Sequence, residues 1–507
     1  PLREAVLVEF RNPQRVPGVL GRGTKLADLH LPIRVGADLA LFQLVNRELV
    51  ARDAVDRGFV DSRCDGYAEL SDHLAGLDTD ALLAATGLDG ADVGQLTDWI
   101  AATDRIVACW AMGLTQHRQA VATIQEITNT LLLRGAFGKP GAGACPVRGH
   151  SNVQGDRTMG IYEKPSAAFL DALDREFGIT APREPGYDTV AAIAAMAAGE
   201  VDVFIGMGGN FVAAAPDTDV TAAAMRRVGL TVQVSTKLNR SHLAAGDTAL
   251  ILPCLGRTEA DLDPFGQPRF VTVEDSMSMV HASSGKNRPA SPHLRSEVAI
   301  IAAIGSRLSA PAARRIPWNQ LGVDYDAIRN RIAAVVPGFA DFNRRVRAGA
   351  FVLPNPPRDN AEFALPGGRA RLAVNTFQPV EVPPGRLLLQ TLRSHDQFNT
   401  TVYGLDDRYR GIKHGRRVVF VSARDLEALG FGDGDVVDVV SEWRPTPDAP
   451  VQERRATQFR LVAYDVPPGT CAAYFPEANV LVPLESTAEG SNTPTSKAVV
   501  VRLERRP

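Results

Sequence analysis

The stretch VDVFIGMGGN, Val201–Asn210, decides the fold class. It is a short apolar run that ends in a glycine turn, the pattern of a strand buried in a parallel sheet. A helical stretch, Thr189–Ala198, precedes it. A second helix, Val220–Val228, leads to the strand LTVQVS, and a short helix leads to the strand TALILP. A helix over Leu294–Leu308 continues the layer. Apolar strands alternating with helices predict an α/β fold with a parallel sheet covered on both faces.

Outward from this core the character changes. Residues 1–34 are irregular, and Ala37–Asp56 spaces its apolar residues as a helix does. TDWIAATDRIVACWAMG predicts a helix running into a short buried strand that ends at Gly113. In QAVATIQEITNTLLLRG, Val121, Ile124, Ile127 and Leu131 share one helix face, and Gly135 stops the helix. Residues 336–385 (VPGF, LPNPPRDN, LPGGR, VPPGR) are rich in Pro and Gly and predict a linker or a long surface connection. From Arg386 short β segments (LLLQT, RVVFVS, DVVDVVS, QFRLVAY) alternate with turns such as GFGDGD, which predicts a compact β-barrel.

A chain of 507 residues is too long for one core and predicts about two to four domains. A net charge of -3 gives no reason to expect nucleic acid or a membrane surface as partner. No apolar run reaches the length of a membrane span, and no signal peptide is visible. The chain begins at Pro1, which reads as a processed chain or a fragment of a longer one. Its five cysteines are scattered and form no CxxC, which excludes a local iron–sulfur or zinc motif and fits a cytoplasmic location. The histidine spacings suit no standard metal site, so no metal ligand is assigned.

Four polar motifs lie where a ligand would sit. GMGGN turns at the end of an apolar strand, where backbone N–H groups can approach phosphates. A tight turn with no ligand is the equally weighted alternative. STKLNRSH, Ser235–His242, sits at the end of the next strand; a solvated polar cap is its alternative. TLRSHDQFNTTVYG, Thr391–Gly404, opens the β region with donors suited to a polar heterocycle and phosphate. CPVRGHSNVQGDRTMG, Cys145–Gly160, gathers Arg148, His150, Asn152, Gln154 and Arg157 on a glycine-rich backbone.

Together, MGLTQHRQA and NTLLLRGAFGKPGAGACPVRGHSNVQGDRTMG resemble a long shared run of the molybdopterin oxidoreductases of the dimethyl sulfoxide reductase superfamily. STKLNRSH, LPCLGRTEAD, VTVEDSMSMVH, RSHDQFNTTVYGLDDRYRG and FPEANVLVPL resemble its formate dehydrogenase alpha-like (FdhF/YdeP) branch. The resemblance covers nearly the whole chain. It implies Rossmann-like parallel-sheet domains followed by a C-terminal double-psi β-barrel. It also implies Mo-bis(molybdopterin guanine dinucleotide), two dinucleotides holding one Mo through four dithiolene sulfurs. A 4Fe-4S cluster is implied only for the family's N-terminal region, which also supplies the protein ligand to Mo. That region is expected to lie outside this chain.

By the same resemblance, Gly113, Thr115, Gln116 and His117 belong to one dinucleotide site. Gly206, Gly208, Gly209 and Asn210, with Ser235, Thr236, Lys237 and Asn239, belong to a Rossmann-like domain gripping a dinucleotide. Arg393, Ser394, His395, Gln397, Asn399, Thr400 and Thr401, with Glu477, Asn479 and Lys497, belong to the barrel that caps the pterins. Arg148 matches the arginine beside Mo in formate dehydrogenases, where it can pair with a substrate carboxylate. His150 stands where those enzymes carry glutamine.

The expected organisation is residues 1–165 as the distal part of a split α/β domain and 166–345 as the Rossmann-like domain. Residues 346–385 are the expected linker and 386–507 the barrel. The expected activity is molybdenum-dependent two-electron oxidoreduction of formate or another small oxyanion, with an electron-transfer partner that the sequence does not name. The alternative is a truncated, inactive chain that binds cofactor or a partner. A nicotinamide dehydrogenase is disfavoured, because no acidic ribose-binding residue follows the glycine turn.

Overall fold

The structure, a computed structural model, describes residues 9–10, 15–150, 152–400 and 402–506. It divides into two compact units. The first comprises Pro1–Cys145, Pro216–Thr218 and Pro356–Pro507; the second comprises Pro146–Ala215 and Asp219–Asn355.

In the first unit, helix α1 (Asp38–Ala51) packs against helix α2 (Ala120–Leu133). Leu131, Leu132 and Leu133 share a core with Leu70, Leu74 and Val60. A polar cage is also sealed in here. Glu126 Oε1 accepts from Asn46 Nδ2 at 2.8 Å, and its Oε2 accepts from Asn375 Nδ2 at 3.0 Å. Thr130 Oγ1 donates to Asn46 Oδ1 at 2.7 Å. Burial pushes the Glu126 carboxyl up in pKa, and the amides of Asn375, Asn46 and Asn129 oppose the shift. A buried carboxyl is tolerated because it is hydrogen-bonded. Strands β1 (Val107–Trp110) and β2 (Gly143–Pro146) form a two-stranded sheet. β1 alternates exposed and half-buried residues, so the expectation of a buried strand here is corrected.

The second unit opens with helix α3 (Val153–Thr158) and later helix α4 (Thr189–Ala198). The Asp188 side chain caps α4 by accepting from Ala191 N, and Gly199, at φ 80°, ends it. Strands β3 (Val203–Met207), β4 (Leu230–Ser235) and β5 (Thr248–Pro253) follow. They form a parallel sheet in chain order, with Val203 opposite Leu230 and Leu230 opposite Thr248. Only the central strand is covered on both faces. β4 is buried from Thr231 to Ser235, whereas Val203, Ile205 and Met207 on β3 and Leu250 and Ile251 on β5 are exposed. Helices over Thr218–Met225 and Glu297–Gly305 fall on the two stretches expected to be helical; the second packs Ile300 against Val234 and is shorter than its apolar pattern suggests. Strands β6 (Val271–Glu274), β7 (Met279–Ser283) and β8 (Phe351–Val352) make an antiparallel sheet over Phe339, Phe342 and Val346.

The chain then returns to the first unit and builds a barrel. Its strands are β9 (Leu387–Leu392), β10 (Val418–Val421), β11 (Val436–Trp443), β12 (Gln452–Ala463), β13 (Thr470–Tyr474) and β14 (Val499–Arg505). They close in the order β9-β13-β10-β12-β11-β14. β9 with β13 and β10 with β12 pair parallel; the other four pairings are antiparallel. Val419, Val439, Phe459, Leu461 and Val501 fill the interior, each almost inaccessible to water. A closed ring leaves no unpaired edge.

Asp217, from the short middle segment, is part of this unit. Both its carboxylate oxygens accept from Arg454 Nε at 3.0 Å, and Oδ2 also accepts from Arg454 Nη2 at 2.9 Å and from Leu484 N at 3.2 Å. Among the described residues no helix is long and apolar enough to cross a membrane. The mixed α/β class with a C-terminal six-stranded barrel is therefore as the sequence predicts.

Candidate functional site

The end of β9 carries a cluster of basic groups. Thr391 is buried in that strand, and Arg393 follows the strand's last residue. Lys497 Nζ donates to the Thr391 carbonyl and, at 3.1 Å, to Thr391 Oγ1. Lys497 N donates to the Gln116 carbonyl at 3.1 Å, and Ser496 Oγ donates to Gln116 Oε1 at 2.7 Å. These two bonds hold the Gly113–His117 segment beside Lys497. Arg393 Nη2 contacts Met112 Sδ at 3.8 Å, and its guanidinium lies over the Phe475 ring at 5.2 Å.

Neither Arg393 nor Lys497 has an acidic partner among the described residues. Burial, then the nearby Arg393 charge, pushes the Lys497 ammonium down to about 8. Burial pushes His117 down to about 4; the Gly113 backbone opposes this and the Lys497 charge adds to it. Burial also lowers Arg393. Cations held out of water without counter-charge are destabilising unless an anion joins them. His117 Nδ1, Thr400 Oγ1 and Glu477 Oε2 are buried without a hydrogen-bond partner.

The other predicted residues of this region are joined to one another. Arg416, which is buried, donates from Nη1 to Ser394 Oγ at 2.7 Å, from Nη2 to Gln397 Oε1 at 2.8 Å and from Nε to Glu477 Oε1 at 2.9 Å. Gln397 Nε2 donates to the carbonyls of Asn399, at 2.6 Å, and Phe475, at 2.8 Å. His395 Nδ1 lies 3.1 Å from Asp407 Oδ1, and its ring packs on Tyr409 with centroids 4.6 Å apart. Tyr474 Oη and Arg410 Nη1 donate to Asp407 Oδ2 at 2.8 and 2.9 Å. Burial raises the Asp407 carboxyl, but the bonds from His395 and Tyr474 and the Arg410 charge override it. The result lies well below the usual carboxylate range. The Asn479 carbonyl accepts from Asp217 N at 3.1 Å. Thr401 lies outside the described residues.

In the second unit the structure brings two motifs together. Gly208 and Gly209 turn the chain after β3 with φ of 68° and 69°, a region that only glycine adopts freely. No described heavy atom lies within 4 Å of where a Cβ would sit on either, so open space adjoins the turn. Asn239 Nδ2, from the segment after β4, donates to the Gly209 carbonyl at 2.7 Å. Ser241 Oγ donates to Asn210 Oδ1 at 2.9 Å. Ser235 Oγ is buried without a hydrogen-bond partner, while Thr236 and Lys237 are exposed. A Cβ on Gly206 would meet Gln233 Oε1 at 2.8 Å, so that glycine serves strand packing.

Arg148 is exposed on the loop after β2. Ser276 Oγ accepts from its backbone N at 3.1 Å, and Gln154 Oε1 accepts from its Nε at 3.0 Å. The terminal guanidinium nitrogens make no ion pair among the described residues. One edge of the fork is thus fixed while the other is open to an anion. His150 is half-buried on the same loop.

Sequence reasoning missed Arg416, Asp407, Thr391 and Ser496. For Asp407 a signal existed: Arg410 lies three residues on, in DDRYRG. The partners of Arg416 and Lys497 lie far away in sequence and leave no local pattern.

Residues 387–500 match the Molydopterin dinucleotide binding domain family. An uncharacterised oxidoreductase of Mycobacterium tuberculosis, Rv2900c, is 57% identical over 511 residues, which cover 99% of this chain and 65% of that protein. The chain thus spans about two thirds of the length of its mycobacterial relatives, just under that mark at 65%. Protein YdeP of Escherichia coli is 39% identical over 519 residues, covering 99% of this chain and 68% of YdeP. Formate dehydrogenase H of Escherichia coli is 32% identical over 136 residues, 27% of this chain and 19% of that one. The solved structure of acetylene hydratase from Pelobacter acetylenicus superposes with a TM-score of 0.67 at 15% identity, covering 98% of this chain and 73% of that one.

Proposed function

The chain belongs to the molybdopterin oxidoreductases of the dimethyl sulfoxide reductase superfamily, and from that membership we propose that it binds molybdopterin guanine dinucleotide and serves two-electron oxidoreduction. The observation that carries the reading is the pair Arg393 and Lys497, two buried-side cations with no acidic partner among the described residues. A dinucleotide's pyrophosphate is the counter-charge such a pair requires. Orphaned polar atoms on His117 and Thr400 suit the donors and acceptors of a pterin or guanine. The residues present therefore fit the group. Within the same proposal, the open double-glycine turn Gly208–Gly209 receives a second dinucleotide in a Rossmann-like manner, and the barrel is of the double-psi kind.

When bound, a Mo bis-dithiolene centre supplies the two-electron couple. The chain's own residues supply binding, orientation and charge. Arg393 and Lys497 neutralise the anionic ligand. Arg416 ties Ser394, Gln397 and Glu477 together, so these three side chains are positioned before ligand arrives. Arg148 offers a fixed, permanently charged fork to a small carboxylate or other oxyanion, formate being the simplest member of that class. His150 sits two residues on and adjusts which anion is accepted.

The test is cofactor content. Protein produced with molybdate supplied should release GMP on acid extraction at about two per Mo. Protein free of both Mo and GMP after such production would overturn the reading.

A further inference from the structure

The five cysteines are not alike in their surroundings. Cys64, Cys254 and Cys471 are buried, and burial pushes the Cys64 and Cys254 thiols up to about 11. Cys109, on β1, is exposed; Cys145, on β2, is half-buried. These two strands pair, and Gly143 N donates to the Ile106 carbonyl at 2.9 Å. The Cys109 and Cys145 side chains are in hydrogen-bonding contact, so both thiols lie on the same face of the two-stranded sheet. Paired strands run about 4.7–4.9 Å apart, within the Cα separations of about 4.4–6.8 Å that disulfides span. A cross-link therefore needs side-chain rotation and little backbone movement.

We propose that Cys109 and Cys145 form a reversible disulfide, a dithiol couple separate from the cofactor chemistry. The oxidant is a small disulfide of the glutathione class. Cys109, the accessible thiol, loses its proton and attacks one sulfur, displacing the first small thiolate. Cys145 then loses its proton and attacks the Cys109 sulfur, displacing the second. Two cysteine thiols become one S–S bond, and the small disulfide takes two electrons and leaves as two thiols. The roles follow from exposure; burial and the neighbouring Cys109 also hold the Cys145 thiol in its protonated form. β1 leads directly to Met112–Thr115, so the cross-link secures the root of that segment.

The chain should be equilibrated with oxidised glutathione, quenched in acid, alkylated in denaturant and digested for mass spectrometry. The expected result is one cross-linked peptide pair joining Cys109 to Cys145, two hydrogens lighter than the reduced pair and restored by dithiothreitol. The other three thiols should remain alkylated. The Cys145→Ser variant should stop at a glutathione adduct on Cys109. The proposal is overturned if wild type keeps all five thiols, or if it accumulates a stable adduct on Cys109 with no cross-linked pair.

Discussion

Burial, and then the charge of Arg393 beside it, lowers the affinity of Lys497 for its proton. The two cations share one end of the barrel, and the nearest acceptors of Lys497 are the neutral oxygens of Thr391. Native proteins seldom hold two such charges together without a carboxylate, because each loses hydration and repels the other. The arrangement is explained if the balancing charge arrives with a ligand.

Replacing Arg393 with Ala, or Lys497 with Met, should therefore weaken cofactor retention more than folding. A hydrogen bond to a charged group contributes roughly 1.5–3 kcal/mol, a tenfold or larger weakening. Mo and GMP per chain should fall in both variants while the thermal midpoint holds or rises. Full cofactor content in both variants would assign the pair to structure alone.

The depressed Lys497 ammonium also sets a pH dependence. Between about 8 and the ordinary lysine value of 10.5, the unfolded chain binds a proton that the folded one has lost. Without ligand, stability should therefore rise with pH through that window as the charge cost disappears. Anion binding should run the other way. The affinity of a pyrophosphate diester, which keeps its own charge over this range, should be flat below about 8 and fall above it, by up to about tenfold per pH unit. Calorimetric titration from pH 6.5 to 10 would show this, and Lys497→Met should flatten the curve.

Asp407 is a structural anchor on the same loop. It is 2% exposed and shared by His395, Tyr474 and Arg410. Asp407→Asn would remove the negative charge that His395, Tyr474 and Arg410 share and should cost about 1–3 kcal/mol. Its carboxyl is depressed in the folded state, so its contribution is present above the ordinary carboxylate range and disappears as pH falls through the folded value. Chemical denaturation at pH 7 and pH 3 should show the onset of that loss in wild type, and the drop between the two should be smaller in the variant.

Arg148→Lys should separate turnover from cofactor content. Lysine retains the charge but loses the fork, so turnover of a small oxyanion should drop by at least tenfold with Mo and pterin unchanged. Equal turnover would make Arg148 a loop contact to Gln154 and nothing more. His150→Gln should change the preference among small anions and leave Mo in place.

Local patterns made the α/β core legible. Asp188 and Gly199 bracket helix Thr189–Ala198, and the apolar run to Met207 followed by two glycines marked β3 and its turn. Exposure was less readable. Val203, Ile205 and Met207 read as buried because they are apolar, yet β3 is an edge strand. The same limit applied to the site. Arg393 and His395 stood out because polar residues crowd one motif, but the motif could not show that His395 is tied to Asp407 while Arg393 has no acidic partner. Arg416 escaped because its partners Phe475 and Glu477 lie 59 and 61 residues away and are joined only by folding.

The ring order of the barrel governs when this protein can mature. β9 and β11 are both completed by β14, Val499–Arg505, and Lys497 stands just before that strand. While residue 505 is still inside the ribosome, the barrel is an open sheet and the basic cluster lacks one of its members. Ligand capture by this region therefore waits until β14 has emerged and paired. A ribosome that stalls ahead of β14 leaves a product with two unsatisfied strand edges, a substrate for proteases and not a slow enzyme.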